Sequence, residues 1–323
     1  MTQQQQQTRV IPLTCSGHTR PVVDLQFSTM TSENKYYLIS ACKDGNPMLR
    51  EGQTGDWIGT FLGHKGAVWS ARLSKEAHRA VTGSADFTAK VWDTFTGQEL
   101  HSFAHQHIVR AVNFSPDGTK IATGGQEKKL RIFDLYRPDA EPIGIDDHSG
   151  TIKTVVWHPN QNIIMSGGED GIIRVRDLRV MRETTNVQAG GAVSSMTLSN
   201  DGGLLCWTAD NKACFWSLEY GLAPSEDTIM MHTMPRRVSS IALHKSGDKF
   251  VVGSDSDPWV RIYDALSAKE LEVHKGHHGS IHAVSYSPDG EVYATGSEDG
   301  TIRLWQSDPT KSYGLWQKVK EAE

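Results

Sequence analysis

The 323-residue sequence has four cysteines, Cys15, Cys42, Cys206 and Cys214, with no CxxC spacing. That argues against a cysteine-rich metal module. An even count leaves disulfide pairing open, yet a chain of this length does not need covalent staples, so a reducing compartment, cytoplasm or nucleus, is the expected home. No apolar run approaches the ~18–20 residues that cross a bilayer as a helix, so no membrane insertion is expected. Neither charge sign dominates: 33 Lys and Arg stand against 38 Asp and Glu, for a net charge of -5. Bulk electrostatic attraction to nucleic acid or an anionic membrane is therefore not expected. The start, Met1-Thr2 followed by Gln3 to Gln7, shows no basic and then apolar leader pattern. No phosphate loop or nucleophile–base pair stands out, and no cofactor or metal is expected.

What is present is a repeat. TGSADFTAKVWD (82–93), SGGEDGIIRVRD (166–177) and TGSEDGTIRLWQ (295–306) share small residues, an acid, a turn and an alternating apolar strand. With the aromatic of VWD as marker, the repeat falls at Arg50, Trp92, Phe133, Arg176, Trp216, Tyr263 and Trp305, at spacings of 42, 41, 43, 40, 47 and 42 residues. A period near ~40–45 with several short strands is the signature of a propeller blade. Counting back six from each marker gives Asp44, Asp86, Glu127, Asp170, Asp210, Asp257 and Asp299, an acid in all seven repeats. A histidine precedes the first strand at His18, His64, His105, His148 and His277, and is missing from repeats five and six. The strands after it, such as AVWSARLS and IHAVSYS, alternate with period two, as half-buried strands do.

These residues resemble the WD-repeat family along nearly the whole chain. The resemblance implies an all-β, seven-bladed WD-repeat β-propeller around a central channel. It also implies a network in which His64, Ser84, Asp86 and Trp92, and likewise His277, Ser297, Asp299 and Trp305, lock turns to sheet. An Asp–His–Ser grouping superficially suggests a hydrolase triad. Recurrence decides against it: catalysis needs one site, whereas a structural lock is needed in each blade. The chain is therefore expected not to be an enzyme.

The last repeat has only three strands of its own, so RVIPLTC (9–15) is expected to supply the fourth and clasp the ends together. The expected organisation is a disordered Gln-rich stretch (1–8), the propeller (9–307) and a C-terminal tail (308–323) carrying Leu315 and Trp316. That tail either packs on the propeller or anchors a partner. The face where inner strands begin is expected to bind partners through Lys43, Trp69, Arg110, Gln126, Lys153, Glu169, Arg237, His282 and Glu298. With no repeated aromatic stacking platform there, direct RNA binding is not expected.

The segments LTCSGHTRPVVDLQFS and ACKDGNPMLR, with SYGLWQ near the end, resemble one adaptor branch of the family. That resemblance implies a monomeric scaffold inside a hetero-complex. Its implied partners are gemin subunits of the survival-of-motor-neuron (SMN) complex, which assembles spliceosomal snRNPs. Receptor serine/threonine kinase signalling proteins and an RNA-binding translation regulator are further implied partners. The alternative is the WD-repeat scaffold subunit of translation initiation factor three, whose second and last repeats begin similarly.

Overall fold

A computed structural model describes residues 10–160, 162–199, 201–225, 227–308 and 310. The described residues form seven four-stranded antiparallel sheets and no helix, a seven-bladed β-propeller. Six blades are consecutive meanders; the seventh takes strands Ile281–Tyr286, Val292–Ser297 and Ile302–Gln306 and adds Leu13–Cys15 at its outer edge. The first strand of the chain thus closes the last blade, pairing Leu13 with Leu304, Thr14 with Arg303 and Cys15 with Ile302. The pairing segment is shorter than RVIPLTC. Pro12, without an N–H, sits just before the ladder rather than in it. The Gln-rich stretch and the tail residues Leu315 and Trp316 lie outside the described residues.

Alternation along each strand buries one face against the preceding blade and one against the next. The buried apolar residues accordingly fall into seven clusters, one at each blade junction. At the ring's seam, Val22, Leu25 and Leu38 of blade one pack on Cys15, Ala283, Val292, Ile302 and Leu304 of blade seven. The glycine of the TGS and SGG motifs explains how blades approach so closely. A Cβ on Gly83 would lie 2.8 Å from Val109, and one on Gly296 would lie 2.7 Å from Val22. Each glycine makes room for the residue that opens the next inner strand. The four cysteines are all buried free thiols.

Candidate functional site

In five blades the landmark histidine uses its Nε2 on a hydroxyl of the second strand. The pairs are His18–Ser40 (2.8 Å), His64–Thr82 (2.7 Å), His105–Thr123 (2.8 Å), His148–Ser166 (2.7 Å) and His277–Thr295 (2.7 Å). In four of them Nδ1 meets the acid: His18–Asp44 at 3.0 Å, His64–Asp86 at 2.7 Å, His148–Asp170 at 2.9 Å and His277–Asp299 at 3.0 Å. An ionised carboxylate only accepts, so Nδ1 carries the proton and Nε2 accepts from the hydroxyl. The hydroxyl oxygen then accepts the marker's indole N–H, Trp92 to Thr82 and Trp305 to Thr295, both at 2.8 Å.

This corrects the expected network. The hydroxyl between histidine and tryptophan is Thr82 or Thr295, two residues before Ser84 or Ser297. The serines do another job: each donates to a carbonyl, of Gly66 or Gly279, and accepts the N–H of Asp86 or Asp299. Both positions face the same side of the strand, and only the register separates them. A signal was available: a Ser or Thr stands ten residues before the marker in the five repeats that have the histidine and in neither repeat that lacks it.

Burial lowers the pKa of His64, His148 and His277 despite their aspartate partners, so the neutral imidazole is the native form. Burial alone would raise the Asp86 carboxyl, but hydrogen bonds from Thr88, the Lys65 N–H and His64 outweigh it and hold the pKa at about 2. Asp44 is held at about 2 in the same way, against burial, by His18 and the N–H of Asn46. Where the marker is not aromatic, a guanidinium fills the slot. Arg176 donates to Ser166 (3.1 Å) and pairs with Asp147, while Arg50 donates to the carbonyls of Gly55 (3.0 Å) and Ser16.

Three of the seven acids depart from this pattern. Glu127 is held by Arg131 and the Gln106 N–H while His105 turns its Nδ1 to the Phe103 carbonyl. Asp257 pairs with Arg261 (2.7 Å) and Arg236 (3.3 Å). Asp210 sits in a hairpin one residue shorter than that of blade two, in a turn closed by Ala209–Lys212, with φ of 52° and an exposed side chain. It shares the sequence spacing but not the place.

The binding residues expected at the inner-strand starts are brought together by a device that strict period-two alternation does not include. Six inner strands have a register shift at their second residue, a bulge at Val23, Trp69, Arg110, Lys153, Ser194 and His282. A bulge re-aims its side chain. All six, with Ser239 of blade six, line one mouth of the central channel, a cavity of about 220 Å³ that Lys43 also borders. The opposite opening, where the inner strands end, is wider at about 700 Å³. Arg110 lies 3.7 Å and Lys43 5.6 Å from the centre of the Trp69 ring. Lys153 pairs with Glu169 at 3.3 Å and His282 with Glu298 at the rim. Below them Asp24 and Arg72 form an ion pair within the channel. Gln126 and Arg237 are exposed on the same face but do not line the mouth, and Arg237 is held by Asp255 at 3.5 Å. Val23, Ser194 and Ser239 went unnoticed in the sequence because small neutral side chains carry no chemical signal.

Comparison with known proteins adds to this geometry. A WD domain, G-beta repeat model matches residues 268–306, and a model of the Nucleolar protein 10-like N-terminal domain matches residues 60–225. The chain is similar to the serine-threonine kinase receptor-associated protein of Homo sapiens, at 50% identity over 315 residues, 98% of this chain and 88% of that protein. The protein of the same name from Dictyostelium discoideum is 47% identical over 296 residues, 91% of this chain and 98% of its own length. Similarity to eukaryotic translation initiation factor 3 subunit I of Drosophila grimshawi is lower, 28% over 326 residues.

Proposed function

This chain belongs to the family of serine-threonine kinase receptor-associated proteins, a branch of the WD-repeat propellers, and we propose that it is a non-enzymatic scaffold that holds partner proteins at the narrow mouth of its channel. The observation that carries this reading is the ring of bulged residues. Six inner strands give up ladder regularity at the same residue, and the side chains so released include an aromatic and three that can carry positive charge. Trp and Arg together are the residues most enriched at the centres of protein interfaces. By contrast the acid–histidine pairs are spread over four separate blades and buried, with both imidazole nitrogens engaged in holding turns.

The finer reading is an adaptor subunit of the SMN complex, joined through gemin subunits, acting in spliceosomal snRNP assembly in cytoplasm and nucleus. Resemblance to that adaptor branch at both ends of the chain supports it. The name of the 50%-identical relatives supports a link to receptor serine/threonine kinases as a second role. Affinity purification of the tagged chain, with mass spectrometry, tests these together. Gemin and Sm proteins are expected. Recovery of initiation-factor subunits in their place overturns the SMN reading. Trp69→Ala is expected to deplete the partners; an unchanged set removes the mouth as the docking face.

A further inference from the structure

The mouth holds donors without acceptors. The acids there are already satisfied: Asp24 by Arg72 and the Ala71 N–H (3.2 Å), Glu169 by Lys153 and Glu298 by His282. Among the described residues, no ion pair or side-chain hydrogen bond joins Lys43 or Arg110 to a carboxylate, and the shielded Trp69 indole N–H has no acceptor. A buried donor left unmade costs free energy, so the Trp69 N–H, with the two cations beside it, favours an acceptor from outside. Across the ring, Ser194 and Ser239 are small and leave the entrance open opposite Trp69 and Arg110.

The geometry points to an acidic side chain of a partner protein as the group that seats in this mouth, its carboxylate taken by Arg110 and Lys43 beside Trp69. The inference rests on the scaffold reading above. Charge complementarity argues for it, since two cations face the entrance with no carboxylate in direct contact, and Glu169, whose charge reaches Arg110, is already held by Lys153. Arg110 is stacked on the indole, which leaves the edge of its guanidinium to grip a carboxylate in a forked pair. The same stacking argues against a nucleobase, because Arg110 already covers the ring at 3.7 Å. A cavity of about 220 Å³ accommodates one side chain rather than a folded element. The net charge of -5 disfavours an extended polyanion.

The test uses the full chain and fluorescence anisotropy with three labelled probes: a dodecapeptide of alternating Glu and Gly, its Gln–Gly counterpart, and an oligouridine of equal length. The Glu peptide is expected to bind, more weakly as salt rises, and the Gln peptide not to. Arg110→Gln is expected to weaken binding on the order of tenfold or more, as loss of a charge-assisted hydrogen bond implies. Lys43→Gln should weaken it less, and Lys75→Gln, at the wide opening, not at all. Equal binding of the Glu and Gln peptides, or indifference to both mouth substitutions, overturns the inference. So does tighter, Arg110-dependent binding of oligouridine, which would make RNA the occupant. If Arg110→Gln strips partners in the purification while the Glu peptide fails to bind, the scaffold reading stands and the acidic occupant falls.

Discussion

Blades two and seven hold their turns with a complete polar chain, and blade five holds its own without one. In blade two the chain runs Trp92 to Thr82 to His64 to Asp86, each link between 2.7 and 2.8 Å. In blade five the second-strand position that corresponds to Thr82 is Trp207, as the pairing of Leu205 with Trp216 and of Ala80 with Trp92 shows. Its buried indole donates to the Ala189 carbonyl at 3.1 Å. The marker Trp216 is left with a buried N–H that has no acceptor among the described residues. Blade six has Val252 at the same position, opposite Arg261. The blade itself therefore stands on apolar packing between neighbours, and the polar chain specifies the geometry of one turn. Histidine and hydroxyl are kept or lost together because either alone would leave a buried group unsatisfied, whereas the acid persists without them where arginines pair it, as at Asp257.

The largest effect expected from this contrast is in the blade without the lock. Trp207 is fully buried in the cluster joining blades four and five. Trp207→Ala should cost ~3–5 kcal/mol, as large aromatic truncations in cores do. Thermal melting followed by circular dichroism measures it, and a loss below that of a lock variant would show that packing is not what sustains this blade. Next come Asp86→Ala and Asp299→Ala. Each strands a buried imidazole N–H and the backbone N–H groups of the following turn, at ~1–3 kcal/mol apiece. Unchanged melting of both would remove the lock from the account.

The lock should also make the protein acid-sensitive in two stages. The buried histidines have lowered pKa values, so the unfolded chain takes up their protons first. Their contribution is full above the ordinary histidine value of about 6.5 and is lost as pH falls through the folded values. The aspartates add a second loss below their ordinary range, toward about 2 for Asp44 and Asp86. Melting temperature should therefore fall from pH 7 to pH 5. The double variant His64→Asn with His277→Asn, less stable at pH 7, should show a shallower fall. An equal slope in the two proteins would place the acid sensitivity elsewhere.

How far the sequence could be read follows from the same contrast. The blade count, the closing strand and the five histidines were legible because each depends on residue type at a fixed spacing. The connecting hydroxyl was misplaced because Thr82 and Ser84 share a face, and only strand register tells which one meets the imidazole. Trp69, Arg110, Lys153 and His282 line one mouth, and the bulge that aims them does mark the sequence: the apolar residues fall at the first, fourth and sixth positions of these strands, as in Val68, Ala71 and Leu73, a phase change that a simple period-two reading passes over. Counting was least dependable where a hairpin changed length. At Asp210 the six-residue interval survived while the loop lost a residue, so the count named an acid that the fold does not use in the same way.

Asp210 gives the smallest expected effect and the sharpest division between spacing and structure. Its side chain is exposed and its φ is 52°, a left-handed conformation that Asn and Asp tolerate better than other side chains. Asp210→Asn keeps that tolerance, the size and the local hydrogen-bonding capacity, and removes only the charge. Stability should change by no more than ~0.5 kcal/mol, as for a surface site away from any special feature. At Asp86 the same substitution puts an amide where the His64 N–H needs an acceptor and three other donors converge. There the cost should be on the order of 1–2 kcal/mol. If the two asparagine variants melt alike, the acid repeated in every blade has one role throughout, and the division between locked and unlocked blades is wrong.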